Sequence, residues 1–128
     1  MPIENFKLSQ KERENLIRLK RVTDIKNWNT LCRWAFCLSI ANSDKPRKGK
    51  IVSDSSLEMT WKVFGGKYHK IYTALLIQRC KQDGIELSDE NLMAQFRHHL
   101  KRGINVLVMD KEVKNIEGLI AKAVNDKE

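Results

Sequence analysis

The chain has 128 residues, of which 41% are hydrophobic and 31% are charged, and its formal net charge is +8. This length and composition predict a single globular domain and argue against wholesale disorder. No apolar stretch is long enough to span a bilayer, and residues 1–20 lack the apolar core of a signal peptide, so we expect a cytoplasmic protein without a membrane partner. Three cysteines without regular spacing predict reduced thiols rather than a disulfide framework.

The positive charge is confined to the N-terminal half of the chain. Residues 1–70 contain fifteen basic and seven acidic side chains and so carry the whole net charge of +8, whereas residues 71–128 balance to zero. A lopsided distribution indicates a basic face, and the commonest partner of such a face is a nucleic-acid backbone.

The N-terminal half predicts two helices. Ser9 followed three places later by Glu12 is a capping-box pattern, and it predicts a helix that runs to about Val22. A second helix is predicted from Trp28 to about Ala41, and it is apolar nearly all round, which predicts burial on every side. Because so small a chain has few elements to cover this helix, we expect a subunit interface and therefore a homo-oligomer.

A loop and a strand follow. Residues 42–56 contain a proline, a glycine and several turn formers and predict a loop. Strict alternation of apolar and polar residues over 57–63 predicts a half-buried strand. Because one strand is not stable alone, it needs residues 51–52, residues 104–108 or another subunit as its partner.

The C-terminal half predicts three more helices. The third helix spans about 67–82, and its expected inner side consists of Tyr68, Ile71, Tyr72, Leu75 and Leu76. The fourth begins after Ser88 and is expected to end at Gly103, and the last covers about 115–124. Near the end of the fourth helix, cations are expected to stabilise its C-terminus. They are Arg97, His98, Lys101 and Arg102, while His99 is expected in the core or at an interface.

These elements predict a mainly α fold. We expect one domain over residues 1–128, a compact homo-oligomeric bundle of about five helices with one or two short β-strands. Residues 1–8 form an N-terminal extension in this prediction, and residues 42–56 form a basic loop.

Two basic segments are candidates for contact with DNA phosphates. Gly65 and Gly66 precede a helix that has lysines in its first turn, a pattern that suits an anion, although a plain strand-to-helix turn explains the same residues. The loop 42–56 is the better candidate, with a solvated surface loop as the alternative. The predicted DNA-binding residues are Lys11, Arg18, Lys20, Arg21, Lys45, Arg47, Lys48, Lys50, Lys62, Gly65, Gly66, Lys67 and Lys70.

Metal and catalytic signatures are absent from the sequence. Cys32 and Cys37 lie five apart on a predicted helix and so point to different faces, and no other cysteine or histidine has zinc-ligand spacing. No nucleophile has a recognisable local signature, and the acids do not form a two-metal nuclease pattern. We therefore expect no catalytic residues, no metal site and no cofactor.

Several segments, taken in order, resemble the DndE family, the small accessory proteins of bacterial DNA phosphorothioation (DNA sulphur modification). They are R-E-N-L-I-R-L-K-R-V-T (13–23), W-N-T-L-C-R-W-A-F-C-L-S (28–39), W-K-V-F-G-G-K-Y (61–68), Y-T-A-L-L (72–76) and H-H-L-K-R-G-I (98–104). The resemblance covers about residues 9–108 and includes no catalytic signature. Two positions depart from the family pattern, since Asp24 stands where glycine is expected and Lys67 where an acid is expected.

The resemblance implies a compact helical subunit that assembles as a homotetramer and binds duplex DNA, with a preference for nicks. It also implies partners, a sulfotransferase-like subunit with an iron–sulphur cluster and an ATPase subunit, to which the chemistry and the cofactors belong. The sequence thus predicts a non-catalytic subunit that grips duplex or nicked DNA through its phosphates. Two alternatives stay open, a scaffold whose basic face docks an acidic protein without touching DNA, and an unrecognised DNA nickase.

Overall fold

A computed structural model describes residues 3–110 and 115–125. Its elements are β1 (Asn5–Lys7), α1 (Gln10–Thr23), α2 (Trp28–Ala41), β2 (Glu58–Thr60), α3 (Trp61–Gly65), α4 (His69–Gln82), α5 (Asp89–Met109) and α6 (Ile116–Asn125). A 3₁₀ turn over Gly66–Tyr68 joins α3 to α4. The described part of the chain is therefore mainly helical with one two-stranded sheet, as predicted, and it includes no helix of the length and apolarity that crossing a membrane requires.

The capping box at the start of α1 is confirmed. The Ser9 hydroxyl accepts a hydrogen bond from the Glu12 amide at 3.0 Å, and the Glu12 carboxylate accepts one from the Ser9 amide at 2.9 Å. Leu16 and Leu19 are buried on the inner side of the helix. The helix ends at Thr23, close to the predicted end.

Helices α2 and α5 form the centre of the fold, and Gly103 lies where they cross. The observed bounds of α2 agree with the prediction, but the prediction that α5 ends at Gly103 is wrong, because the helix continues to Met109. A Cβ at Gly103 would stand 1.8 Å from the Ala35 carbonyl oxygen. The glycine lets the two backbones approach closely. The helix continues beyond it because burial of Ile104 and Leu107 in the core stabilises the last turns.

Burial of α2 on every side is not observed in the single chain. Leu31, Ala35 and Phe36 are fully buried against the other helices, but Cys37 is exposed and Trp34 is only half-buried. One face of the helix is thus covered by its own chain. A subunit interface on the other face stays a prediction.

The strand is shorter than predicted, and its expected partners are wrong. β2 pairs antiparallel with β1, so that Phe6 lies opposite Met59, whereas residues 51–52 lie in the loop and residues 104–108 belong to α5. The strand ends because the Thr60 hydroxyl caps α3, accepting a hydrogen bond from the Val63 amide at 3.1 Å. The residues that alternate beyond Thr60 are therefore helical.

The predicted inner side of the third helix is largely wrong. Leu76 is buried as expected, but Tyr68, Ile71 and Leu75 are 53%, 56% and 37% exposed. α4 instead buries Leu76 together with Cys80. Apolar residues occur on two sides of this helix, and only the positions of α3 and α5 decide which side turns inward.

Aromatic rings from four elements meet in the core. Phe96 of α5 lies 4.8 Å from Phe6, 5.4 Å from Phe36 and 4.9 Å from Trp61, measured between ring centroids. The Trp61 indole is also satisfied, since its N–H donates to the Thr73 hydroxyl at 2.8 Å. This cluster joins the sheet to the helices and leaves residues 42–57 as the long irregular segment over the surface.

Candidate nucleic-acid interface

The start of the basic loop is held by two arginines from α4 and α5. The Arg79 guanidinium donates to the carbonyl oxygens of Ile40 at 3.0 Å and Asn42 at 2.7 Å. Its second terminal nitrogen donates to the Asp44 carbonyl at 2.6 Å, and Arg102 donates to the same oxygen at 2.7 Å. Two guanidinium groups therefore converge on one backbone carbonyl of the loop.

Both arginines are themselves fixed. Arg79 is 4% exposed, and its Nε donates to the Asp83 carboxylate at 2.9 Å. Arg102 donates to both the hydroxyl and the carbonyl of Ser39, each at 2.8 Å. Each guanidinium group is thus anchored on one side to the helices and on the other to carbonyl groups at the loop start.

The end of the loop is held by Arg97 of α5. This guanidinium donates to the Ser53 hydroxyl at 2.8 Å, to the Val52 carbonyl at 2.6 Å and to the Lys7 carbonyl. It also forms a buried ion pair with Glu12 at 2.9 Å. We call Arg79, Arg97 and Arg102 the arginine brace.

The structure corrects the role predicted for the C-terminal cations of the fourth helix. Arg97 and Arg102 lie inside a helix that continues to Met109, so they do not cap its end. Sequence reasoning also left Arg79 without a role. No local pattern reveals these arginines, because the loop groups and the Lys7 carbonyl they bind lie 35 to 90 residues away along the chain.

Between the two anchors, the loop presents its cations to solvent. The predicted DNA-binding residues Lys45, Arg47, Lys48 and Lys50 are all exposed, whereas Pro46 among them is buried. The proline ring gives the loop an apolar contact with the domain. The four charged side chains thus project from a backbone that is fixed on both sides of them.

Helix α5 adds a further cation beside the loop. The pKa of His98 is lowered by desolvation first and then by the charges of Lys101, Arg97 and Lys48. Lys48 of the loop and Lys101 of α5 therefore lie within electrostatic reach of the same imidazole. Lys101 is exposed, and sequence reasoning assigned it only to the helix dipole.

His99 lies in the core beneath the loop start, as the sequence predicted. Its Nδ1 shares a hydrogen bond of 2.8 Å with the Ser39 hydroxyl, and the residue is fully buried. Burial, followed by the charges of Arg79 and Arg102, lowers its pKa from 6.5 to about 4. The imidazole is therefore neutral at pH 7 and adds no positive charge beside Arg79 and Arg102.

A second basic place lies where α1 meets α2. The Lys20 ammonium lies 3.4 Å from the centroid of the Trp28 ring, and the Arg13 guanidinium lies 6.0 Å from it. Beside them is a surface cavity of about 280 Å³, which Lys26 and Glu58 also line. Desolvation and then the charge of Arg13 lower the pKa of Lys20.

The Gly65–Gly66 turn has a clear structural reason. Gly66 has φ +62°, a backbone conformation that residues other than glycine rarely adopt. A Cβ at Gly65 would stand 2.7 Å from the Cβ of His69. Arg33 closes the turn by donating to the Phe64 carbonyl at 2.8 Å. The predicted strand-to-helix turn is wrong, because the residues before the glycines form α3 and not a strand. A turn between α3 and α4 accounts for both glycines, and a phosphate site at this turn stays a prediction.

Five of the predicted cations therefore lie at two separate places in the chain, four on the loop and Lys20 beside Trp28. The loop leaves the C-terminal end of α2, whereas Trp28 and Arg33 lie toward its N-terminal end, and a helix of this length spans about 20 Å. The contacts do not bring the two places together. The other predicted cations are all exposed; they are Lys11, Arg18, Arg21, Lys62, Lys67 and Lys70.

Metal-ligand clusters are not found within residues 3–110 and 115–125, where no group of three or more His, Cys, Asp or Glu side chains converges. Cys32 and Cys80 are buried and Cys37 is exposed, and all three thiols are free. Burial raises the pKa of Cys32 to about 12, so this thiol is unreactive at neutral pH.

Comparison with known proteins gives one family. The family described as DNA sulphur modification protein DndE matches residues 5–115 of this chain. The fold is similar to a crystal structure of DndE from Escherichia coli B7A involved in DNA phosphorothioation modification, with a TM-score of 0.69 and 22% identity over 81% of this chain and 95% of that chain. A DndE mutant with two glycines changed to lysine, also described as involved in DNA phosphorothioation, matches with a TM-score of 0.63 at the same identity and coverage. No curated protein matches the chain at a significant level.

Proposed function

The chain belongs to the DndE family of DNA sulphur modification proteins, and we propose that it is a non-catalytic subunit that grips duplex DNA through backbone phosphates. The observation that carries this proposal is the basic loop. Four exposed cations, Lys45, Arg47, Lys48 and Lys50, project from a backbone that buried arginines hold at both ends. A fixed row of cations on an irregular loop suits a phosphate chain better than it suits base edges.

The mechanism is electrostatic. Each lysine or arginine that neutralises a phosphate releases condensed counterions from the DNA, and this release drives binding without regard to base sequence. Lys101 extends the charge of the loop onto α5. In the proposed assembly, copies of the chain join their loops into a longer basic surface, so that weak contacts sum.

The proposal includes a preference for nicked duplex, because a broken strand bends at a lower elastic cost into such a surface. It leaves sulphur transfer and ATP hydrolysis, with their cofactors, to other subunits of the modification machinery. The role of this chain is then to hold the DNA for those subunits.

The direct experiment removes the four loop charges together. Replacing Lys45, Arg47, Lys48 and Lys50 with glutamine is expected to weaken binding to duplex DNA by at least about tenfold at 0.1 M salt. The loss is expected to be equal for unrelated sequences, because phosphates carry no sequence information. Mobility-shift titrations of two duplexes of different sequence measure both effects.

A matched control keeps the charges and changes the side chains. Exchanging lysine for arginine and arginine for lysine at the same four positions is expected to leave the affinity within about twofold, because the charge pattern is unchanged. Wild-type affinity in the glutamine variant would refute the proposal. A loss confined to one DNA sequence would indicate base readout instead.

The outer face of α4 favours a second candidate function, a scaffold that contacts proteins. Ile71 and Leu75 are exposed there, together with Tyr68 of the preceding 3₁₀ turn, and Lys67 and Lys70 lie beside them. Neighbouring apolar residues that the fold leaves uncovered are typical of a protein contact, and the lysines favour an acidic partner.

The Ile71→Glu variant separates the two functions. If the chain is a scaffold, the wild type gives no mobility shift on DNA and co-purifies with another subunit of the modification machinery even after nuclease treatment. The Ile71→Glu change is then expected to abolish this co-purification. The DNA-binding function predicts that the variant binds duplex as the wild type does, because residue 71 is not on the loop.

A further inference from the structure

We propose that Arg79, Arg97 and Arg102 are positioning residues for DNA binding, which act by holding the basic loop in its binding conformation before DNA arrives. This inference rests on the proposed function and deepens it, because it assigns the affinity of the loop partly to residues that hold it from beneath. In this account, the cations of the loop bind phosphates and the arginine brace sets the positions of those cations.

The first support is where the hydrogen bonds go. The brace binds backbone carbonyls of Asn42, Asp44 and Val52, and the Ser53 hydroxyl, on both sides of the exposed cations. A loop without regular structure has carbonyl groups that need partners, and here buried guanidinium groups supply them. The charged side chains of the loop are left free to meet a ligand.

The second support is the burial of the brace. Arg79 and Arg97 are 4% and 6% exposed, so a DNA strand on the loop has almost no access to them. Their carboxylate partners, Asp83 and Glu12, are buried with them. These two arginines therefore influence a bound phosphate through the loop and not by contact.

The third support is the shape of the guanidinium group. Arg102 spreads three donors over the Ser39 hydroxyl, the Ser39 carbonyl and the Asp44 carbonyl. A lysine ammonium is a compact charge that does not reproduce this planar fork. An arginine-to-lysine change at this position therefore keeps the net charge of the protein but releases one anchor of the loop.

The consequence for binding is thermodynamic. Ordering a flexible loop on a ligand costs conformational entropy, and a loop that is already ordered when the protein folds avoids this cost at the binding step. The brace is thus expected to raise the affinity without changing the number of phosphates that are neutralised. Affinity and salt dependence then respond differently to its loss.

The experiment compares Arg102→Lys with Lys81→Arg in the full chain. Arg102→Lys is expected to weaken binding of a 20-base-pair duplex about fivefold, because an ordering cost returns to the binding step, while the slope of log affinity against log salt stays unchanged. Lys81→Arg also exchanges one cation for the other, at an exposed residue of α4 outside the basic loop, and is expected to keep the wild-type affinity. Each affinity is calculated from the concentration of folded protein, which circular dichroism measures, so that a loss of stability alone does not alter it.

Trypsin provides a second readout on the free protein. The loop offers cleavage sites after Arg47, Lys48 and Lys50, and a braced loop is cut slowly because the backbone must leave its anchors to enter a protease. Arg102→Lys is expected to speed this cleavage several-fold, and DNA is expected to slow it. The measurement on the wild type needs no variant, so it tests the brace even if Arg102→Lys does not fold.

Three results would overturn the inference. They are wild-type affinity in the Arg102→Lys variant, an equal loss in the Lys81→Arg variant, or cleavage of the wild-type loop as fast as of an unstructured peptide. Failure of the proposed function gives a different result, since the four-glutamine variant then binds DNA as the wild type does while the wild-type loop remains resistant to trypsin.

Discussion

The crossing of α2 and α5 and the basic loop are both fixed parts of this molecule, but different interactions fix them. At the crossing, Gly103 fits directly against the backbone of Ala35, and no charge is involved. The loop is instead held by charged hydrogen bonds from Arg79, Arg97 and Arg102. Steric fit supports the whole domain, whereas the arginine brace orders one surface segment, so the two regions should fail in different ways.

The largest effect is expected at the crossing. Gly103→Leu places side-chain atoms where the Ala35 carbonyl stands, and because a small domain has only about 5–15 kcal/mol of stability, we expect the variant not to fold. Gly49→Leu is the matched control, since nothing lies within 4 Å of a Cβ at that loop position. Circular dichroism checks both, and a cooperatively folded Gly103→Leu variant would contradict the structure.

Breaking the brace at Arg97, which is buried, is expected to have the next largest effect. Arg97→Met leaves the Glu12 carboxylate buried without its ion-pair partner and is expected to lower the free energy of unfolding by about 3–5 kcal/mol. Lys101→Met removes an exposed cation from the same helix and is expected to cost less than about 0.5 kcal/mol. Urea unfolding measures both values. Equal losses in the two variants would mean that Arg97 does not hold the loop end.

Acid is expected to weaken the region beneath the loop start by a smaller amount. The pKa of His99 is about 4 in the folded chain against 6.5 for a free histidine. Between these two pH values His99 is protonated in the unfolded chain but not in the folded one. The contribution of this group to the free energy of unfolding is therefore fully present above pH 6.5, and it falls by about 3 kcal/mol as the pH drops toward 4. His99→Gln is expected to flatten this dependence, measured by urea unfolding between pH 4 and 7. A wild-type slope that survives in the variant would assign it to other groups.

The smallest effect is expected at the turn after α1, which neither steric fit nor the brace fixes. Asp24 has φ +60° and caps the helix in the left-handed region, where glycine is favoured. Asp24→Gly is expected to raise the free energy of unfolding by less than about 1 kcal/mol. Gly84→Ala is the reciprocal change at φ +73° and is expected to lower it by about 1 kcal/mol. Two thermal-melting shifts of the same sign would contradict this assignment.

Local signals in the sequence predicted the parts of the fold that depend on neighbours in the chain. Ser9 and Glu12 are three residues apart, and their capping box forms as expected. The apolar run of α2 also gave its bounds. Such features are predictable because the interactions that define them lie within one or two helical turns.

The misassigned features all depend on contacts between distant segments. A glycine late in a helix is compatible with a helix end or with a close helix contact, and only the position of Ala35 makes Gly103 the latter. In the same way, β2 pairs with the start of the chain, more than 50 residues away. No local period distinguishes such partners from the nearer ones that the sequence suggested.

The candidate site also contains residues that the sequence predicts and residues that only the fold reveals. The positions of charged residues along the sequence were enough to identify the loop cations Lys45, Arg47, Lys48 and Lys50 as candidates. The anchors that order them were hidden, because an arginine in a helix near other cations is also typical of a helix terminus. The separation of the loop from Trp28 and Lys20 likewise follows from the fold and not from the charge pattern.

The salt dependence of duplex DNA binding tests the central claim most directly. Affinities of the wild type and the four-glutamine loop variant, measured by fluorescence anisotropy from 50 to 300 mM salt, give the number of phosphates that each protein neutralises. If the four loop cations each neutralise one phosphate, the slope of log affinity against log salt is expected to be shallower by about 3.6 in the variant, at about 0.9 per contact. Identical slopes for the two proteins would show that the loop does not hold the DNA backbone.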